Sequence, residues 1–102
     1  MAVLVTLVAK PGEEEPAAAI LDQLSLETRA TPGCICHFVH RAPERGKFVI
    51  YERYVDRAAW EADLRSEHFA RLVLDRAMAL LESSDRMELV PLEPNAAAEV
   101  SS

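Results

Sequence analysis

Residues 2–9, AVLVTLVA, are apolar at every position except Thr6. A β-branched run of this kind, stopped by Lys10-Pro11-Gly12, predicts a strand covered on both faces. The period then changes. Along EEEPAAAILDQLSLETRA, Ile20, Leu21 and Leu24 fall on one stripe with Ala17, the spacing of an amphipathic helix. Glu13 to Glu15 suit the positive end of its dipole, Pro16 is tolerated in a first turn, and Pro32-Gly33 closes it. CICHFVH (34–40) and KFVIYERYV (47–55) return to alternation on either side of APERG, a turn by composition. Together they predict an antiparallel hairpin. On the first strand Ile35, His37 and Val39 share a face. On the second, Phe48, Ile50, Glu52 and Tyr54 lie opposite Val49, Tyr51 and Arg53.

Asp56 is a good N-cap for a short helix through RAAWEADLR, and Ser66 can cap again. A longer helix is therefore expected from about His68 to Glu82, with Phe69, Leu72, Val73, Ala77, Leu80 and Leu81 as its apolar stripe. Ser83-Ser84-Asp85 reads as its end and 86–92, RMELVPL, as a fourth strand. EPNAAAEVSS (93–102) reads as a frayed tail, which leaves one domain over 1–92. The order β-α-β-β-α-β fits an α+β, ferredoxin-like sandwich with both helices on one sheet face. The other face, carrying Phe38, would then meet water. Covering it with a second copy predicts a two-fold homodimer, sheet against sheet.

Composition narrows the function classes. The chain has 102 residues and a net charge of -6. No basic stripe is visible, which argues against a nucleic-acid surface and against adhesion to an anionic membrane. The apolar N-terminus is too short to span a bilayer and lacks a basic leader, so no signal peptide is read. Cys34 and Cys36 read as small, unbridged apolar fillers, and a reduced, cytoplasmic protein is expected. No glycine-rich phosphate loop marks a nucleotide cofactor.

Several of these residues also form a recognisable series. Pro32-Gly33-Cys34 leads into the hairpin, an aromatic-rich strand carries Glu52, and the next helix leads to Ser66-Glu67-His68-Phe69. In this order the sequence resembles the antibiotic biosynthesis monooxygenase family, which includes small cofactor-independent quinol oxygenases. The resemblance covers nearly the whole domain. It implies a dimeric α/β barrel, no cofactor, and a small aromatic substrate oxidised by O2. Many members have a histidine where this chain has Asp63, a tyrosine at the place of His37, and a tryptophan at the place of Tyr54. Haem-degrading relatives use an asparagine in strand one, and a tryptophan and a histidine at the places of Asp63 and Val73. None of these three residues is present here, so haem cleavage is not expected.

The candidate chemistry centres on His68 and Glu52. His68 is either a helix-end residue bonded to a nearby group or a general base beside a bound phenol, since an imidazole titrates near pH ~6.5. Glu52 is an acid on an apolar strand face, costly unless paired or aimed into a polar cavity. It either holds a structural hydrogen bond or orients His68. His37 and Phe69 are expected to line the cavity. Tyr54 shares the face of Glu52. Trp60 either seals the short helix to the sheet or forms an aromatic wall. A metal site from His37, His40 and His68 is not expected, because His37 and His40 point to opposite faces. Three readings remain open: a cofactor-independent oxygenase with His68 and Glu52 catalytic, a non-catalytic small-molecule binding dimer, and a non-oxidative isomerase.

Overall fold

The structure is a computed structural model and describes residues 1–92; the tail expected over 93–102 lies outside the described residues. Four antiparallel strands, β1 (Ala2–Ala9), β2 (Cys34–Arg41), β3 (Lys47–Tyr54) and β4 (Leu81–Leu89), form one sheet in the order β2-β3-β1-β4. Helix α1 (Glu14–Arg29) follows β1, and α2 (Arg57–Leu64) follows β3. A third helix, α3, begins at Glu67–Phe69, widens into a π-helix over Ala70–Ala77 and returns to α geometry at Met78–Leu80. This is the ferredoxin-like α+β arrangement that the element order predicts.

One apolar core joins these layers. Leu7, Phe48 and Ile50 from the sheet meet Ile20, Leu21 and Leu24 of α1 and Leu72 and Ala77 of α3. Leu72 and Ala77 are fully buried and lie five residues apart. That spacing suits the i→i+5 bonding of a π-helix better than an α-helical turn. Both predicted caps are in place. Asp56 accepts from the Ala59 amide at 2.8 Å, and the Ser66 hydroxyl accepts from the Phe69 amide at 3.2 Å.

Two boundaries differ from the sequence pattern. The last helix ends at Leu80, not Glu82, because Lys10 of the β1–α1 loop takes over its terminal carbonyls. The Lys10 amide donates to the Leu80 carbonyl at 2.8 Å and its ammonium to the Ala79 carbonyl at 3.0 Å. Strand β4 accordingly begins at Leu81 rather than Arg86. Ser83, Ser84 and Asp85 sit within it, paired with Val8, Leu7 and Thr6 of β1. The expected face-sharing on β2 is also broken. The register with β3 shifts between Cys34 and Cys36, so Cys34 lies opposite Tyr54. Ile35 is lifted out of the core, 38% exposed, as a bulge demands.

Gly33 leads into that bulge with φ +87, and a Cβ built there would lie 2.6 Å from the Ala59 Cβ of α2. Gly33→Ala therefore combines a left-handed backbone with a clash. It is expected to lower stability by about 1–3 kcal/mol, which urea denaturation measures.

Candidate active site

A cavity of about 450 Å³ opens between the sheet and the helices, a size suited to a small organic molecule. Its walls are largely aliphatic: Val5, Leu7 and Ile50 of the sheet, Leu21 and Leu24 of α1, and Val73 and Leu74 of the widened part of α3 with Met78 just after it. Its polar groups are Thr28, His37, Glu52, Asp63, Ser84, Asp85 and Arg86. The sheet register explains how several of them arrive. His37 and Glu52 are cross-strand partners on β2 and β3, and the next row pairs Val39 with Ile50, Val5 and Arg86.

Several of these polar groups are joined in a continuous chain that runs along the cavity wall and, through Tyr54 and His68, behind it. The His37 Nε2 lies 3.6 Å from Glu52 Oε2. The Tyr54 hydroxyl lies 3.0 Å from Glu52 Oε1 and 3.2 Å from Asp63 Oδ2. Asp63 Oδ1 is 2.8 Å from the His68 Nε2, which also lies near the Ser66 and Thr28 hydroxyls at 3.2 and 3.4 Å. At the other end, the Ser25 hydroxyl donates to the His37 carbonyl and accepts from the Arg29 guanidinium. Having spent its hydrogen, Ser25 can only accept from His37 Nδ1, 3.0 Å away. That makes Nδ1 the protonated nitrogen of His37 and leaves Nε2 as an acceptor facing Glu52.

The electrostatics follow from burial. Desolvation raises the Glu52 pKa to about 7; the Tyr54 hydrogen bond opposes it, Asp63 adds to it, and Arg86 opposes it. Burial lowers His37 to about 4 against the favourable charge of Asp63. His37 and Glu52 are thus a neutral pair near pH 6 rather than an ion pair. Burial, with both carboxylates adding to it, pushes the Tyr54 phenol upward, so it keeps its proton. Burial likewise raises the Cys34 thiol to about 11, which leaves it a poor nucleophile. Both cysteines are free.

The sequence-derived candidates separate into layers. His37, Glu52 and Phe69 are on the cavity wall. Tyr54 and His68 are buried and reach it through Glu52 and Asp63. The anticipated Glu52–His68 pair is instead two acid–imidazole pairs, Glu52 with His37 and Asp63 with His68, linked by Tyr54. Trp60 stands apart from the wall. The Arg57 and Arg86 guanidiniums lie 5.7 and 5.6 Å from its ring centroid, and its Nε1 is buried without a partner among the described residues. Ser25 and Thr28 carry no site reading from the sequence, where Asp63 stands out only as the residue at the place of the family's usual histidine. A signal existed for each: Asp63 lies one turn from Ala59 and Trp60 on α2, and Ser25 and Thr28 continue the Ala17–Leu21–Leu24 stripe of α1. Among the described residues no three His, Cys, Asp or Glu side chains converge in a way that would hold a metal ion. No described helix is long and apolar enough to cross a membrane.

The family model described as antibiotic biosynthesis monooxygenase matches residues 1–73. The chain belongs to this family. It is 29% identical over 69 residues to "Putative monooxygenase Rv0793" of Mycobacterium tuberculosis, a span covering 68% of each protein. The solved structure of Rv0793 superposes with a TM-score of 0.84 at 26% identity, over 92% of this chain and 96% of that one. PA3566 from Pseudomonas aeruginosa gives 0.84 at 29% identity, over 90% and 93%. A crystal structure of an antibiotic biosynthesis monooxygenase gives 0.77 at 28%, over 88% and 98%. These relatives support a monooxygenase-like function for this member of the family.

Proposed function

We propose that the protein is a monooxygenase that binds a small hydroxylated aromatic, a quinol or polyketide-like phenol, in the cavity and oxidises it with O2 without metal or flavin. The observation that carries this reading is the buried carboxyl of Glu52 on the wall of a largely apolar chamber. Glu52 takes the phenolic proton as general base. The resulting phenolate is electron-rich and passes one electron to O2. The radical pair then combines at a ring carbon that bears a hydrogen, and the hydroperoxide loses water to leave a ring carbonyl, so one oxygen atom stays on the substrate, the other leaves as water, and the substrate supplies every electron. His37 and Phe69 flank the ring. Asp63, held by His68, completes the polar end of the chamber, and Tyr54 holds Glu52 in place. His68 therefore acts through Asp63, and Trp60 acts through Arg86 rather than as a wall.

The test is oxygen uptake by the purified protein against a panel of phenols and hydroquinones. The oxygenase consumes O2 with at least one hydroquinone and is inactive without air. A ligand that raises the melting temperature with no turnover would instead mark a binding protein. Turnover indifferent to oxygen would mark an isomerase.

The working unit in this proposal is a homodimer in the cytoplasm. Support for the dimer comes from the sheet face turned away from the helices. There Phe38, Tyr51, Leu4 and Met87 pair in one row across all four strands. Phe38 is 50% and Met87 53% exposed. Phe38→Lys is expected to turn the dimer into a monomer at micromolar concentration, read by sedimentation. An unchanged dimer in that variant would place the contact elsewhere.

A further inference from the structure

The Tyr54 hydroxyl stands between two carboxyls, Glu52 Oε1 at 3.0 Å and Asp63 Oδ2 at 3.2 Å. Both carboxyls line the cavity. One hydroxyl has one hydrogen, so it can donate to only one of them at a time. Its other side can accept a hydrogen from a protonated Glu52. We propose that Tyr54 is a proton relay through which a proton taken from the substrate at Glu52 reaches Asp63 and is returned from Asp63 to a second oxygen in the cavity.

This relay deepens the oxygenase reading and rests on it. The protons balance at every step. The phenol O–H breaks and a Glu52 O–H forms. Glu52 then gives that hydrogen to the Tyr54 oxygen while Tyr54 gives its own to Asp63, so Glu52 is again a carboxylate and Tyr54 stays neutral. The phenolate and O2 combine, after single-electron transfer, to a ring-carbon peroxide anion. Asp63 protonates the terminal peroxide oxygen and is again a carboxylate. The sum is substrate plus O2 giving a ring hydroperoxide, with no outside reductant and no proton drawn from solvent.

The surroundings suit a directional transfer. Glu52 faces the acceptor nitrogen of His37 from β2, the Arg86 charge from β4 and Asp63 from α2. Asp63 has the His68 ring on its other oxygen, and Glu27 of α1 feels the His68 charge in turn. The high phenol pKa of Tyr54 keeps it a carrier and not a sink.

The relay can be tested without substrate. When Glu52 loses its proton it becomes an acceptor that competes with Asp63 for the Tyr54 hydrogen, and in the relay the Asp63–His68 contact changes with it. Nitrogen-15 NMR of the histidine rings should show an inflection at the Glu52 pH for His68 as well as for His37. Glu52→Gln should abolish both inflections. Tyr54→Phe should abolish the one at His68 and leave the one at His37. Should Tyr54→Phe fail to fold, Asp63→Asn, which keeps the side chain's size but cannot hold the transferred proton, must also lose the His68 inflection. A His68 ring blind to Glu52 in the wild type, or still responsive in Tyr54→Phe, overturns the relay. With a hydroquinone that supports oxygen uptake, Tyr54→Phe should lower kcat about 100-fold with KM within about twofold, and an unchanged kcat also overturns it. If no phenol or hydroquinone supports uptake, the oxygenase reading falls, while the ring titration still decides whether Tyr54 couples the two acids.

Discussion

Glu52→Gln is expected to lower oxygen uptake by roughly 1,000-fold, the scale on which a positioned general base contributes, while leaving the protein folded. The two isosteres differ only in whether the group can take a proton. In the wild type, kcat/KM should climb with pH through about 7 as Glu52 loses its proton, and this limb should vanish in the variant. Stability supplies an independent check, because its sign is opposite. Native Glu52 holds its proton up to about 7, whereas the unfolded group releases it near its ordinary 4.5. Over that interval the native state binds more protons, so this group removes stability as pH rises. His37 works the other way. Its native pKa of about 4 lies below its ordinary 6.5, so it removes stability as pH falls between those values. From about 4.5 to 6.5 the native state holds one proton on Glu52 and the unfolded state one on His37, and the two contributions cancel. Glu52→Gln leaves only the histidine contribution. The variant should therefore gain melting temperature relative to wild type as pH goes from 5 to 8, even as it loses activity. A loss of both together would mean that Glu52 is structural.

Phe48→Ala should be the most damaging single truncation in the core, at about 3–5 kcal/mol. Phe48 is 1% exposed and belongs to the core that the sheet shares with α1 and α3. An Arg41 guanidinium lies 5.5 Å from its ring centroid, so collapse into the void is blocked by a charged group on that side. Chemical denaturation at pH 6, inside the interval where the His37 and Glu52 contributions cancel, isolates the packing loss from titration. Such a loss is a large fraction of the stability of a domain this size.

Most of the architecture is legible because it depends on period and punctuation. The Ala17–Leu24 stripe, the hairpin around 42–46 and the caps at Asp56 and Ser66 are all local signals. The misplaced parts are those set by partners distant in sequence. Ser83-Ser84-Asp85 has turn chemistry, yet the backbone of β1 offers it a ladder, and at a sheet edge polar side chains cost nothing. The end of α3 depends on Lys10, seventy residues earlier. The bulge that turns Cys34 inward and Ile35 outward leaves no compositional mark beyond Gly33. The site follows the same rule. Glu52 stands out as an acid on an apolar strand, and it is on the cavity wall. Asp63 lies on a helix rich in charge, and only the fold shows it joined to Tyr54 and His68.

The position of Trp60 has a practical corollary. Arg86 lines the cavity on one side and stacks over this indole on the other, and the chain contains a single tryptophan. A cation beside an indole shifts the colour of its emission. A molecule that draws Arg86 inward on arrival leaves Arg57 as the one remaining guanidinium of the two beside the ring, so a shift in tryptophan emission is expected to report occupancy in plain buffer before the identity of the ligand is known.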